Sequence, residues 1–167
     1  MNPVSQGPLS VAIIVRNAEQ ALAETLESIA SIADEIVVVD TGSTDATLQI
    51  AADSQARVFS HAWQDDFSAA RNFAASCCTS PWILWLDAGE RLAKDAADGL
   101  KRFVAREAAA NTAYMQIVRL PVGPGEIAAE QIGQIRLVPN DPRVQFTGRV
   151  RETLVPALNA AQIQVEG

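Results

Sequence analysis

The chain has 167 residues, 49% of them hydrophobic, and a formal net charge of −7 at pH 7. A chain of this length can bury a core as one domain, and its excess of carboxylates disfavours a nucleic-acid partner. No apolar run approaches the roughly 20 residues that cross a bilayer, and the N-terminus lacks an export signal. We therefore expect no transmembrane segment and a cytoplasmic location, with the inner face of the membrane as the alternative.

Strand-like and helix-like patterns alternate through the first ninety residues. Strands are predicted at residues 9–15, 36–39, 57–60 and 82–86, and helices between them near residues 22–32, 45–53 and 67–77. The four consecutive β-branched residues at 36–39 are typical of a strand that is buried on both faces, as in a parallel sheet. The predicted fold class is α/β, a mostly parallel sheet with helices on both faces and right-handed crossovers.

The alternation changes beyond Glu90. A longer helix is predicted near residues 92–104, a strand at 113–120, and a loop at 121–133 with some helix near 127–129. Residues 135–138 and 144–150 are predicted as two antiparallel strands around a turn at 140–142, and the tail from 157 to 167 is ambiguous. This places a small antiparallel part at the C-terminal end of the sheet.

Polar residues stand where three of the predicted parallel strands end. Arg16 and Asn17 follow the first strand, Asp40 ends the second, and Asp87 ends the fourth. The carboxyl ends of parallel strands meet at one edge of a sheet, where ligands of such folds bind. We therefore expect these side chains to gather around one site.

The segment Asp-Thr-Gly-Ser-Thr-Asp at residues 40–45 admits three interpretations. Gly42 permits a sharp turn and Ser43 or Thr44 is expected to cap the next helix, which together make a place for an anionic or hydroxyl-rich ligand. The same letters resemble the signature of aspartic proteases, but that class is built almost wholly of strands, whereas both flanks here have helical periodicity. The third interpretation is a strand-to-helix turn without a ligand.

Cysteine and histidine add little chemistry to this pattern. Cys77 and Cys78 are adjacent and match no zinc spacing, so they are interpreted as buried small residues. His61 is the only histidine and is interpreted as structural. Basic residues crowd the far end of the chain, either to meet an anion or to form a solvated face: Arg136, Arg143, Arg149 and Arg151.

Four segments in succession resemble family 2 glycosyltransferases of the GT-A fold, bacterial type. They are VAIIVRNAE at 11–19, VDTGSTD at 39–45, DDFSAARN at 65–72 and WILWLDAGE at 82–90. Residues 136–137 and 146–152 resemble a later segment of the bacterial members. The resemblance implies one GT-A domain over residues 1–167, with a nucleotide-sugar-binding half at 9–92 and a shortened acceptor-side half at 93–167.

By that resemblance the strand ends would bind a nucleotide diphosphate sugar, most often a UDP-sugar. Asp40 would accept hydrogen bonds from the base or ribose, and Arg71 with Asp66 would flank the base or diphosphate, as suits a carboxylate acceptor and a forked guanidinium donor. The alternative for Arg71 is a purely structural salt bridge with Asp65 or Asp66. The implied binding residues are Arg16, Asn17, Glu19, Asp40, Gly42, Ser43, Asp66, Arg71 and Asp87.

The resemblance also implies a metal at Asp87. Members usually carry two aspartates separated by one residue, which hold a divalent cation against the diphosphate, but this chain has Gly89 at the second position. Mg²⁺ or Mn²⁺ takes about six oxygen ligands. Asp87, alone or with Glu90, is a poorer anchor, so weaker metal binding is expected.

The implied reaction is displacement at the anomeric carbon with inversion. Glu152 is the predicted base that deprotonates the acceptor hydroxyl, and Asp87 the predicted catalytic carboxylate beside the diphosphate. Members commonly have His-Glu where this chain has Arg151-Glu152, and Arg151 is interpreted as a residue that assists a phosphate instead. These departures and the short second half favour an alternative, a non-catalytic nucleotide-sugar-binding or interaction module of the same fold. Polysaccharide, lipid and protein acceptors all stay open.

Overall fold

A computed structural model describes residues 7–119 and 131–167. Within these ranges seven strands form one sheet in the order β3-β2-β1-β4-β6-β5-β7. The strands are β1 (Leu9–Val15), β2 (Glu35–Asp40), β3 (Arg57–Ser60), β4 (Trp82–Trp85), β5 (Thr112–Arg119), β6 (Gln131–Pro139) and β7 (Gln164–Glu166). The helices are α1 (Leu22–Ile29), α2 (Thr47–Asp53), α3 (Phe67–Cys77), α4 (Lys94–Arg106) and α5 (Val155–Ala161).

The first four strands are mutually parallel, and the sheet becomes mixed beyond them. β1 pairs with β2 and β4, and β2 with β3, all in parallel. β6 runs antiparallel to both β4 and β5, while β7 pairs parallel with β5. The predicted α/β class with a small antiparallel part at the C-terminal end is thereby confirmed.

Helices cover both faces of the sheet because its central strands are apolar on both sides. Helices α1, α2 and α4 share one core cluster with the sheet, and α3 and α5 share the other. In β2, Val38 faces the first cluster, and Val37 and Val39 face the second. All three valines are fully buried, which explains the run of β-branched residues. In the part of the chain described here, no helix has both the length and the apolar character that crossing a membrane requires.

The second half departs from the sequence prediction in three places. Residues 144–150 were predicted to be a strand, which is wrong: a single bridge joins Thr147 to Thr153, because positive φ angles of 97° at Gly148 and 57° at Arg151 turn the chain between them. The predicted loop is wrong at 131–133, where β6 has begun, and residues 120–130 lie outside the described ranges. The ambiguous tail forms α5 and β7.

The predicted cap of α2 is also wrong. Neither Ser43 nor Thr44 caps that helix, which begins at Thr47 with Ala46 at the N-cap position and no side-chain cap. Asp45 instead accepts a hydrogen bond from the Thr47 backbone N–H at 3.0 Å. The aspartic-protease interpretation of this segment fails as well, because the segment joins a parallel strand to a helix within an α/β sheet.

Candidate functional site

Five charged side chains form a connected cluster beyond the carboxyl end of β4. Arg71 donates from Nε to Glu152 Oε1 at 2.6 Å and from Nη2 to Asp87 Oδ1 at 2.8 Å. Arg136 donates from Nη2 to Asp87 Oδ2 at 3.2 Å and also to Glu90 Oε1. We call these five residues the carboxyl-edge cluster.

The two arginines of the cluster are deeply placed. Their side chains are 9% and 8% exposed, whereas the Asp87 side chain is 45% exposed. Burial opposes ionisation of both Arg71 and Asp87, but the facing charges outweigh it. Asp87 and Glu152 therefore raise the pKa of Arg71, and Arg71 and Arg136 lower the pKa of Asp87. Arg71 and Asp87 are therefore both held in their charged forms at neutral pH.

Aromatic rings enclose the guanidinium of Arg71. Its central carbon lies 5.6 Å from the Trp85 ring centroid and 5.4 Å from that of Phe146. The two rings contact each other edge to face at 5.1 Å. Since a planar guanidinium stacks on aromatic faces, these rings fix the orientation of the fork that binds Glu152 and Asp87.

Helix α3 positions the segment that carries Glu152. Ser68 Oγ donates to the Gly148 carbonyl at 2.6 Å, and Asn72 both donates to the Phe146 carbonyl at 3.0 Å and accepts from the Phe146 N–H at 2.8 Å. Two backbone hydrogen bonds between Thr147 and Thr153, 2.9 and 3.0 Å long, close the loop. Arg71 belongs to α3, and these hydrogen bonds hold the loop that carries Glu152 against the same helix. Glu152 therefore contacts Arg71 although the two residues are 81 positions apart in the chain.

Two cavities meet at the carboxyl-edge cluster. The strand-end cavity, about 570 Å³, lies beyond the ends of β1 and β4 and is lined by residues that include Val15, Arg16, Asn17, Ala18, Phe67 and Ala88. The β6 cavity, about 460 Å³, is lined by residues that include Trp85, Met115, Gln134, Ile135, Arg136 and Phe146. Both volumes are typical of small-molecule sites. Arg71, Asp87, Arg151 and Glu152 line both cavities.

The loops after β1 and β2 are joined by side chains that the sequence assigned to ligand binding. Ser43 Oγ accepts from the Asn17 N–H at 2.9 Å, and Asn17 Oδ1 accepts from the Thr44 N–H at 2.8 Å. Glu19 accepts from the Ala46 N–H at 3.0 Å. Of these side chains only Asn17 lines the strand-end cavity. Asn17 has a φ of 50°, so the loop is bent at that residue.

Asp40 and Asp66 are engaged in backbone contacts. Asp40 is 4% exposed and accepts from the backbone N–H groups of Gly42 at 3.0 Å and Ser43 at 3.1 Å. The turn requires glycine at position 42, whose φ is 110°. Asp66 caps α3 by accepting from the Ala69 N–H at 3.0 Å. Neither carboxylate lines either cavity.

The structure shows the ion-pair partners of Arg71 and the surroundings of His61 and Cys78. The partners of Arg71 are Asp87 and Glu152, so the predicted pairing with Asp65 or Asp66 is wrong. His61 stacks on Phe73 with ring centroids 4.9 Å apart. Cys78 is buried, and burial raises the pKa of its thiol to about 12, which makes it a poor nucleophile.

The donor set does not fit a divalent cation. Both oxygens of Asp87 accept from arginines, and Glu90 Oε2 accepts from the Asp87 N–H at 2.8 Å while its Oε1 binds Arg136. Across residues 7–119 and 131–167, no three histidine, cysteine or carboxylate side chains converge on a common point. A hard cation would find too few free oxygens here.

Arg136, Trp85 and Phe146 belong to the site, although sequence analysis did not assign them to it. One signal was present: Arg136 interrupts an apolar run between Ile135 and Leu137. Such a charge inside a buried strand needs a partner, since unpaired buried charges are costly. The partners themselves depend on β6 lying beside β4, which no local pattern reveals.

Known proteins include relatives of similar sequence. A TPR repeat-containing protein of Synechococcus elongatus is 36% identical over 157 residues, which cover 93% of this chain and 38% of that protein. An uncharacterized glycosyltransferase of Rickettsia felis is 37% identical over 93 residues, or 56% of this chain and 32% of that protein. The chain thus spans less than two fifths of the length of these relatives.

Solved structures share the fold. The crystal structure of S. aureus TarS 1–349 in complex with UDP-GlcNAc is similar, with a TM-score of 0.70 at 16% identity over 94% of this chain and 54% of that one. The sequence model of the family described as Glycosyl transferase family 2 matches residues 10–144, well over half of the chain. The chain therefore belongs to glycosyl transferase family 2.

Proposed function

We propose that the chain transfers a sugar from a nucleotide diphosphate sugar, with a UDP-sugar as donor, to an acceptor hydroxyl with inversion at the anomeric carbon. The observation that carries this proposal is the meeting of two cavities at one charged cluster. A donor and an acceptor need separate spaces that share a reacting centre. The TarS structure, which has the same fold, was solved with UDP-GlcNAc.

The strand-end cavity is assigned to the nucleotide. Arg16, Asn17 and Phe67 line it, and Arg71 lies where it meets the β6 cavity. The exposed aromatic ring of Phe67 offers apolar contact, and the arginines offer charge to a diphosphate. Residues 9–92 would then be the donor half, in which Glu19, Asp40, Gly42, Ser43 and Asp66 hold the loops around the nucleotide.

Glu152 is assigned as the base. The acceptor oxygen attacks the anomeric carbon, the bond from that carbon to the diphosphate oxygen breaks, and the nucleoside diphosphate leaves with the electron pair. The acceptor proton passes to a carboxylate oxygen of Glu152, which lines both cavities and is 14% exposed. Residues 93–167, which contribute Glu152 and most of the β6 cavity, would form the acceptor side for a polysaccharide, lipid or protein hydroxyl.

The test compares Glu152→Gln with the wild type and with Glu27→Gln, a matched change at an exposed residue of α1. Binding of UDP is measured by calorimetry, and release of UDP from a panel of UDP-sugars is measured with water as acceptor. We expect all three proteins to bind UDP, and Glu152→Gln to release it about 100-fold more slowly, the contribution of a general base.

Each other outcome has a definite meaning. If Glu152→Gln releases UDP from UDP-sugars as fast as the wild type, Glu152 is not the base. Binding of UDP without release by any of the three proteins would favour the non-catalytic module of the same fold. Absence of UDP binding by the wild type would contradict the donor assignment.

A further inference from the structure

The proposed transfer leaves negative charge on the departing diphosphate, and this charge must be balanced at the site. Glycosyl transfer to a hydroxyl breaks a carbon–oxygen bond, and the leaving oxygen keeps both electrons. Either a bound cation or positively charged side chains can stabilise that oxygen. The contacts of the carboxyl-edge cluster and its neighbours indicate whether a bound cation or a side chain balances the charge here.

The carboxylates of the cluster are committed to arginine. Asp87 binds Arg71 with one oxygen and Arg136 with the other, at 2.8 and 3.2 Å. A cation at Asp87 would have to displace these guanidinium groups, whose side chains are less than one tenth exposed. Displacement would take one carboxylate partner from each of two buried guanidinium groups, leaving Arg71 with Glu152 and Arg136 with Glu90, and this opposes metal binding.

Backbone geometry disfavours the second carboxylate of a metal site. Residues 87–90 form a turn closed by the Glu90 N–H and the Asp87 carbonyl at 2.9 Å, with Gly89 at a φ of 100°. A side chain at position 89 would be strained in that conformation, although an added Cβ would meet only the Ala21 Cβ, at 3.7 Å. The turn therefore favours glycine at position 89, where the family usually has an aspartate.

Positive side chains are placed where the cation would be needed. Arg71 and Arg151 line both cavities, at the junction assigned to the diphosphate. Arg151 is exposed and makes no ion pair with any residue in the described ranges. Its backbone is fixed at a φ of 57° within the loop that the Thr147–Thr153 bridge closes. Arg151 is thus a cation at the junction of the two cavities, and no carboxylate in the described ranges neutralises it.

We propose that Arg151 neutralises the departing diphosphate in place of a divalent cation, so that this chain binds its nucleotide and acts without metal. The inference rests on the proposed function. The charge of Arg71 is compensated by Asp87 and Glu152, so Arg151 supplies the group that binds the phosphate oxygens directly.

The experiment measures UDP affinity by calorimetry in the presence of a chelator and again with Mn²⁺. We expect the same affinity in both solutions for the wild type. Arg151→Ala should weaken UDP binding about tenfold in chelator, the loss of one charge-assisted hydrogen bond, and Arg151→Lys should recover part of that loss. Uridine, which lacks phosphates, should bind the wild type and Arg151→Ala equally.

Arg149→Ala is the matched control, because Arg149 is an exposed arginine of the same loop that lines neither cavity. It should bind UDP as the wild type does. Binding of UDP only with Mn²⁺ would overturn this inference and leave the proposed function standing, as would unchanged affinity in both Arg151 variants. No UDP binding in either solution would instead contradict the proposed function itself.

Discussion

At the scale of single residues, Arg71 connects more of the site than any other side chain described. It binds two carboxylates and contacts two aromatic rings. A lysine at this position would keep the charge but lose the planar fork that reaches both carboxylates. Arg71→Lys should therefore lower the free energy of unfolding by on the order of 2 kcal/mol, the typical contribution of a hydrogen bond to a charged group.

Urea denaturation of Arg71→Lys measures this loss. The control is Arg102→Lys, a conservative change at an exposed position of α4. Retention of wild-type stability in Arg71→Lys would mean that the fork contributes no more than a point charge. Release of UDP from UDP-sugars should fall in Arg71→Lys and stay unchanged in the control.

Sequence reasoning found some of these residues and could not find others. Arg71, Asp87 and Glu152 were proposed for one site from motif order, and the structure brings the three into direct contact. Arg136 was noted as one of several basic residues but not assigned to the site, because it meets Asp87 only through the pairing of β6 with β4. Pairing between strands so distant in sequence leaves no periodic signal near either partner.

At the scale of elements, α3 supports the site by its N-cap and by its clamp on Phe146. Asp66 accepts from the Ala69 N–H, a contact that is worth about 1 kcal/mol at a helix start. Asp66→Ala should lower the free energy of unfolding by about that amount, and Asp66→Ser should restore most of it because serine also caps helices. Chemical denaturation of both variants measures the effect.

The same pair of variants separates structure from binding. A serine caps the helix but carries no charge, so a direct contact of Asp66 with the nucleotide would weaken UDP binding in Asp66→Ser at wild-type stability. Equal UDP affinity in the wild type and Asp66→Ser would limit Asp66 to its role as a cap.

The clamp gives a second prediction at this scale. Asn72 exchanges two hydrogen bonds with the backbone of Phe146, and their loss would leave partly buried polar groups unpaired. Asn72→Ala should speed hydrogen exchange of the Phe146 amide and slow UDP release from UDP-sugars, since the loop that holds Glu152 would loosen. Ser76→Ala, an exposed change on the same helix, is the control. Unchanged exchange at Phe146 would show that the loop is held by other contacts.

Elements were predicted well where the signal was local. The β3 and α3 bounds match the predicted residues 57–60 and 67–77, because the apolar pattern that identifies each element lies within the segment itself. Residues 144–150 alternate like a strand, but the left-handed residues Gly148 and Arg151 turn the chain there. β7 is only three residues long and depends on pairing with β5, so nothing in its own sequence identified it.

At the scale of the whole molecule, two charged centres hold opposite edges of the sheet. The carboxyl-edge cluster lies at one edge, and Glu35 lies at the other, where the strands begin. Glu35 accepts from Ser10 Oγ, from Arg57 and from the Thr79 N–H at 2.8 Å. One buried carboxylate therefore connects the start of β1, β2 and β3 with the segment that leads into β4. The order of predicted strands and helices indicated the α/β class, but it did not indicate that Glu35 joins the starts of these strands.

The contacts of Glu35 make stability depend on pH. Burial raises the pKa of its carboxyl, but the hydrogen bonds from Ser10, Thr79 and Arg57 outweigh that effect and lower the pKa below its ordinary value of 4.5. A carboxyl whose pKa is lower in the folded state contributes its full stabilisation above the unfolded pKa. That stabilisation is lost as the pH falls through the folded pKa, because the folded protein must then take up a proton at a site built for the anion.

Glu35→Gln removes this dependence. The variant should be less stable by on the order of 2 kcal/mol at pH 7, the loss of hydrogen bonds to a charged acceptor. The difference from the wild type should shrink as the pH falls below about 4.5, because the wild type then loses the same contribution. Urea denaturation between pH 7 and 3 measures it, with Asp98→Asn on an exposed position of α4 as control. A stability difference that stays constant over this range would mean that Glu35 acts through shape and not through its charge.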